Sequence, residues 1–163
     1  MLNTFTLQIA RFEGKKRVKK LPYTDQAPPL TSEEIESLLK ENNIARICSH
    51  NKDGTIHAVP VHYKYINGQI VMVFSDSSRK TRNIKRKHDV TVLIDTGRPF
   101  RGILIYGKAE LGYDNVHQLA VSVHETSGQP REKVERFVHA HLDPAKCVIV
   151  KVTPKRIVTF GYA

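Results

Sequence analysis

A chain of 163 residues, 40% apolar and 26% charged, is one globular domain with a sizeable core; it has no apolar run of the roughly 18 residues that a membrane-spanning helix needs. The start Met1-Leu2-Asn3-Thr4 lacks a secretory signal, and two cysteines, Cys48 and Cys147, are too few for a disulfide framework or a structural zinc site. A cytoplasmic, reduced protein is expected, and the net charge of +10 is local: outside Lys15-Lys16-Arg17, Lys19-Lys20 and the basic stretch Arg79–Lys87 the chain is near neutral.

Residues 1–30 read as a basic N-terminal extension. Thr4 to Ile9 alternates like a short strand, but the basic run and Pro22, Pro28 and Pro29 mark a surface-lying segment. The domain, residues 31–163, opens with a helix. Thr31 and Glu34 have capping-box spacing, Ile35, Leu38 and Leu39 share one face, and Asn42-Asn43 ends it. Ile44 to Ser49 is a short strand, followed by a turn at Asn51-Lys52-Asp53-Gly54. Thr55 to Ile66 alternates, with His57, Val59, Val61, Tyr63 and Tyr65 on one face, and Asn67-Gly68 is a two-residue hairpin signal. Gln69 to Ser75 is apolar on both faces and reads as a central strand.

Ser78 to Lys87 reads as a short helix containing Asn83 and Ile84; Val90 to Asp95 and Gly102 to Leu111 read as strands. Two helical stretches follow, one on Val116, Leu119, Ala120 and Val123, the other on Val134, Phe137, Val138 and Leu142. Cys147 to Val152 and, after Pro154, Ile157 to Phe160 read as two closing strands. Short strands in mostly hairpin order, with helices inserted late, favour a mainly β Greek-key barrel over a Rossmann sheet.

The segment Phe74-Ser75-Asp76-Ser77-Ser78-Arg79-Lys80-Thr81 passes from a strand end through a hydroxyl-rich turn into a helix start. That arrangement suits an anion, because free N–H groups and the positive end of the helix dipole face the turn. A phosphate there would accept from Ser75, Ser78 and Thr81 and pair with Arg79 and Lys80. The competing reading is a solvated basic helix.

Over residues 31 to 112, and more weakly in its last strands, the chain resembles the pyridoxamine-phosphate-oxidase-like FMN-binding split barrels. The resemblance rests on the opening helix, Ile44-Ala45-Arg46-Ile47-Cys48, the Asp53-Gly54 turn, His57-Ala58-Val59-Pro60-Val61-His62, Ser78-Arg79-Lys80-Thr81-Arg82-Asn83-Ile84, and Arg101-Gly102-Ile103-Leu104-Ile105-Tyr106-Gly107-Lys108-Ala109-Glu110. It implies a homodimer with FMN at its interface. The strand His57 to His62 would run along the isoalloxazine, with backbone groups near Val59 and Val61 on the ring. Arg79 and Lys80 match the family's phosphate-binding pair, and Ser75 matches a hydroxyl at the preceding strand end. His62 stands where the oxidase has a lysine, and Gly102 where it has a flavin-contacting glutamine. The oxidase's C-terminal Arg-x-His substrate motif is missing from Thr153 to Ala163, so another small-molecule substrate is expected.

The resulting expectation is an FMN-binding protein, and a flavin-dependent oxidoreductase, with no assigned catalytic residue and no metal site. Its alternatives are a deazaflavin-binding reductase, a non-catalytic flavin- or haem-binding protein, and a nucleic-acid-binding barrel that stacks bases on Tyr63, Tyr65 or Tyr106. His139-Ala140-His141, two residues apart on a helix, diverge and make a poor ligand pair. Gly97, Gly102, Gly107 and Gly112 match no phosphate-loop pattern and read as points of barrel bending or close approach.

Overall fold

The computed structural model describes residues 29–97, 100–125 and 128–161. The N-terminal extension, apart from Pro29 and Leu30, lies outside these residues. Helix α1 (Ser32–Glu41) begins where the sequence places it. Glu34 N–H donates to Thr31 Oγ1 at 3.2 Å and Thr31 N–H donates to Glu34 Oε2 at 2.9 Å, which completes the capping box. Ile35, Leu38 and Leu39 are buried, closing the barrel interior.

Strands β1 (Ile44–His50), β2 (Ile56–His62), β3 (Lys64–Ile66) and β4 (Gln69–Ser75) follow; then helix α2 (Arg79–Arg86), β5 (Asp89–Asp95), β6 (Arg101–Gly112), α3 (Val116–His124), α4 (Arg131–His141) and β7 (Cys147–Gly161). All seven strands form one antiparallel sheet in the order β2-β1-β5-β6-β7-β4-β3. It curls into a split barrel. Its inner face carries Ala45, Ile47, Val61, Ile70, Met72, Val92, Ile94, Ile103, Ile105, Val148 and Val150, all buried.

Three readings of the sequence change. The alternating stretch from Thr55 to Ile66 is two strands, because the chain crosses at Tyr63 from one end of the sheet to the other. Tyr63 is fully buried, donating its hydroxyl to the Leu39 carbonyl at 3.0 Å. Strand β4 lies second from the edge rather than at the centre. It is apolar on both faces because Val71 and Val73 meet a second core formed by α3 and α4, through Val116, Ala120, Val121, Val123, Val134 and Val138. The two expected closing strands are one 15-residue strand, β7. The register slips between Tyr106 and Gly107, so that Tyr106 faces Arg156 and Gly107 faces Pro154, and a proline is accommodated at the bulge. Gly107 is required there, since a Cβ would lie 2.6 Å from the Thr153 carbonyl oxygen.

Candidate functional site

Helix α2 has the sequence Arg-Lys-Thr-Arg-Asn-Ile-Lys-Arg, too short and too polar to persist alone. Tertiary contacts hold it. Ile84 is fully buried, which contributes about 1.5–3 kcal/mol. Asn83, 4% exposed, donates through Nδ2 to Asn51 Oδ1 at 2.9 Å and to Ser49 Oγ at 3.2 Å, latching the helix to the end of β1. Arg86 donates to the His50 carbonyl and to Asn83 Oδ1. Asparagine is a weak helix former, so its place inside this helix was the available sequence signal for the latch; the sequence reading passed over it.

The hydroxyls at the helix start are spent within the turn. Thr81 is fully buried, and its Oγ1–H donates to the Ser75 carbonyl at 2.9 Å. The Ser78 hydroxyl then donates to Thr81 Oγ1 at 2.9 Å, while Ser78 Oγ accepts from the Thr81 N–H as N-cap. Each hydroxyl has one hydrogen to give. Of the three donors expected to meet a phosphate, Ser78 and Thr81 therefore have none left. Ser75 is exposed, with its Oγ 3.0 Å from Ser77 Oγ, so that pair keeps one hydroxyl hydrogen for an outside acceptor.

The cations divide in the same way. Arg82 donates to the Ser77 carbonyl at 2.7 Å, Arg86 is held at β1, and Lys85 pairs with Asp76 at 2.7 Å. Arg79 is exposed and makes no ion pair among the described residues; its charge adds to the Thr55 hydrogen bonds that hold the Asp53 carboxyl below the usual range. Lys80 lies with Nζ 4.6 Å from the centre of the Phe74 ring, and its half-burial lowers its pKa. These two cations occupy the first turn of α2, which has no acidic residue. The helix dipole favours acids there and opposes cations by about 0.3–1 kcal/mol each. The N–H groups of Arg79 and Lys80 also have no intrahelical acceptor. A cationic, donor-rich helix start of this kind is relieved by an anion.

The second half of the expected site is β2, which among the described residues is an edge strand paired only with β1. The Thr55 carbonyl accepts from Asn51 N–H, and Tyr63 N–H donates to the Asn43 carbonyl, both toward β1. By alternation the backbone groups of His57, Val59 and Val61 point toward β1 as well, and the outer edge presents those of Ala58, Pro60 and His62. Pro60, which has no N–H to leave unpaired, fits that edge. The groups open to a planar ligand thus belong to the residues between Val59 and Val61 and beside them. His57 pairs in register with Ser49, the partner of Asn83, so this end of β2 adjoins α2.

His62 lies at the opposite end, about 17 Å along the strand from His57. The fold brings it beside His124 of α3, with ring centres 4.9 Å apart. Partial burial and the His124 charge lower its pKa, against a hydrogen bond to the backbone of Asn43 that raises it. At Gly102 a Cβ would lie 2.3 Å from the Phe160 ring, so the aromatic ring takes the space that a side chain at Gly102 would need. Of the tyrosines expected to stack bases, Tyr63 is buried, Tyr65 packs against the core, and Tyr106 lies under the Arg156 guanidinium at 4.2 Å. Both cysteine thiols are pushed up by burial. Among the described residues no three His, Cys, Asp or Glu side chains gather as a metal site, and no helix is long and apolar enough to cross a membrane.

A curled seven-stranded barrel with a cationic, donor-rich helix start beside an edge strand defines the class: a split barrel. The pyridoxamine 5'-phosphate oxidase family model matches residues 31–159, and the chain belongs to that family. Its fold is similar to that of a conserved hypothetical protein from Mycobacterium tuberculosis, at 23% identity over 85% of this chain and 90% of the other, TM-score 0.71. It is also similar to an F420 reductase, at 20% identity over 76% and 94% of the two chains, TM-score 0.66. A third likeness is to an FAD-binding protein from Mesorhizobium loti, at 16% identity over 83% and 98%, TM-score 0.63. No curated protein sequence matches the chain.

Proposed function

We propose that this protein binds FMN and works as a flavin-dependent oxidoreductase on a small molecule, as a homodimer with the cofactor at its interface. One observation carries the reading. Two cations, Arg79 and Lys80, stand at a helix start that the dipole already makes positive, while Arg82, Lys85 and Arg86 are tied to the protein's own acceptors. A solvated basic face needs no such division. A terminal phosphate monoester matches what remains: two cations, two backbone N–H groups and the Ser75–Ser77 hydroxyl pair.

Residues Ser78 and Thr81 build this cradle, and the open edge of β2 from Ala58 to His62 offers carbonyl and N–H groups to a planar ring. A bound flavin supplies hydride exchange, which requires no protein nucleophile. Dimer formation is supported by the outward-facing residues of the sheet. Ile44 and Val158 are exposed, Leu93 and Leu104 are partly exposed, and all four lie outside both cores.

The test is an FMN titration followed by flavin fluorescence. Each of Arg79→Gln and Lys80→Gln is expected to weaken binding about 10- to 100-fold, the value of a charge-assisted bond to a dianion. Riboflavin, which lacks the phosphate, should bind the variants and the parent alike. Unchanged FMN affinity in both variants overturns the reading. A deazaflavin is the second reading, kept by the likeness to an F420 reductase; the absorption spectrum of the chromophore released from purified protein separates the two.

A further inference from the structure

The turn that forms the cradle contains an acid. Asp76 stands two residues before the N-cap Ser78, where a free carboxylate would compete with a phosphate for Arg79, Lys80 and the helix start. The fold turns it away. Lys85 Nζ lies 2.7 Å from Asp76 Oδ1 and 2.8 Å from Oδ2, and the Tyr113 hydroxyl donates to Oδ1 at 3.1 Å. Asp76 N–H donates to the Lys146 carbonyl at 2.8 Å, fixing the backbone as well. Lys85 comes from the far end of α2 and Tyr113 from just beyond β6, so two separate elements converge on one carboxylate. Tyr113 is 56% exposed and belongs to neither core. A surface pair of this kind adds little to stability, and its effect is on the charge beside the cradle.

We propose that Lys85 and Tyr113 are positioning residues of the anion site: they tether and neutralise Asp76 so that Arg79 and Lys80 remain available to a phosphate. This rests on the phosphate-binding reading of the cradle. The Lys85 bond, with that of Tyr113 behind it, also holds the Asp76 carboxyl below the usual range, so it stays charged and paired. Without Lys85 the carboxylate keeps only the Tyr113 bond and, three residues before Arg79, becomes free to turn toward the cations of the helix start and take the phosphate's place in part. A unit charge about 7 Å from a dianion in water-like surroundings is worth roughly a 3- to 10-fold change in affinity.

The experiment is a cycle of FMN titrations on the whole chain, repeated with inorganic phosphate as competitor. Lys85→Gln is expected to weaken binding about 3- to 10-fold. Asp76→Asn, which leaves the Lys85 cation unpaired, is expected to bind FMN at least as tightly as the parent, and adding it to Lys85→Gln should restore affinity to about the parent value. Tyr113→Phe should weaken binding less, with the same rescue, and Lys85→Arg should bind like the parent. A double variant that binds as weakly as Lys85→Gln alone overturns the proposal, because it would mean that Lys85 acts through its own charge and not through Asp76. Arg79→Gln is the control. If it weakens binding while Asp76→Asn fails to rescue Lys85→Gln, only this inference fails; if FMN affinity ignores Arg79 altogether, the phosphate reading fails and takes this inference with it.

Discussion

Replacing Thr81 by valine separates a residue that builds the cradle from one that touches a ligand. The side chain is fully buried, its hydroxyl hydrogen goes to the Ser75 carbonyl at 2.9 Å, and its oxygen receives the Ser78 hydroxyl at 2.9 Å. Valine keeps the shape and removes both bonds. Two neutral hydrogen bonds at about 0.5–1.5 kcal/mol each, partly recovered by solvent at the exposed Ser75 end, give a loss of about 1–2 kcal/mol in unfolding free energy. For a domain of this size that lowers Tm by about 3–6 °C. Serine at the position should recover most of it. FMN affinity should fall less than about threefold, since the backbone N–H groups and cations stay in place. Urea unfolding and flavin fluorescence measure the two effects independently. An unchanged Tm with a Kd raised more than about tenfold would show that the Thr81 hydroxyl binds phosphate directly and is not spent on the Ser75 carbonyl.

Gly107→Ala should cost about 1–3 kcal/mol in urea unfolding, because the new Cβ meets the Thr153 carbonyl at 2.6 Å and Val152 Cγ1 at 2.7 Å, and a backbone atom cannot step aside. Gly112→Ala, with nothing within 4 Å, should be neutral by comparison. Tyr63→Phe should lose about 1 kcal/mol by leaving the Leu39 carbonyl without its donor, read as a lower urea midpoint. His62 titrates below its ordinary 6.5, so the folded state binds fewer protons than the unfolded state near that pH. Its contribution to stability is therefore complete above about pH 6.5 and declines as pH falls toward the folded-state value. In an NMR titration His124→Gln should move the His62 midpoint upward; a downward move would contradict the assigned charge coupling.

Local patterns survive intact from sequence to fold. The Thr31–Glu34 capping box forms, and Asn67-Gly68 turns the β3–β4 hairpin with φ of 49° and 80°. These features depend on residues a few positions apart, which the sequence displays side by side. The split at Tyr63 was hidden because the same alternation continues across it; only the destination of the chain changes there. The place of β4 was misread because burial on both faces arises from a central position or from a helical layer, and the hydrophobic pattern is the same in both cases. At the site, Arg79 and Lys80 were legible as charges, whereas the occupation of Ser78, Thr81, Arg82 and Lys85 by internal partners was not. Those partners come from turns and neighbouring strands, and no spacing rule connects Asn83 with Ser49 or Asp76 with Tyr113.

Strand β7 lies between β6 and β4, although it is the last strand in the order of elements. Until it is made, the protein consists of two unjoined ribbons, β2-β1-β5-β6 and the β4–β3 hairpin, each with an apolar face in water. A chain growing from its N-terminus cannot close around its interior until Cys147–Gly161 has emerged, so these last strand residues act as the keystone of assembly, and the partly synthesised protein is when its edges are most open to the wrong neighbour.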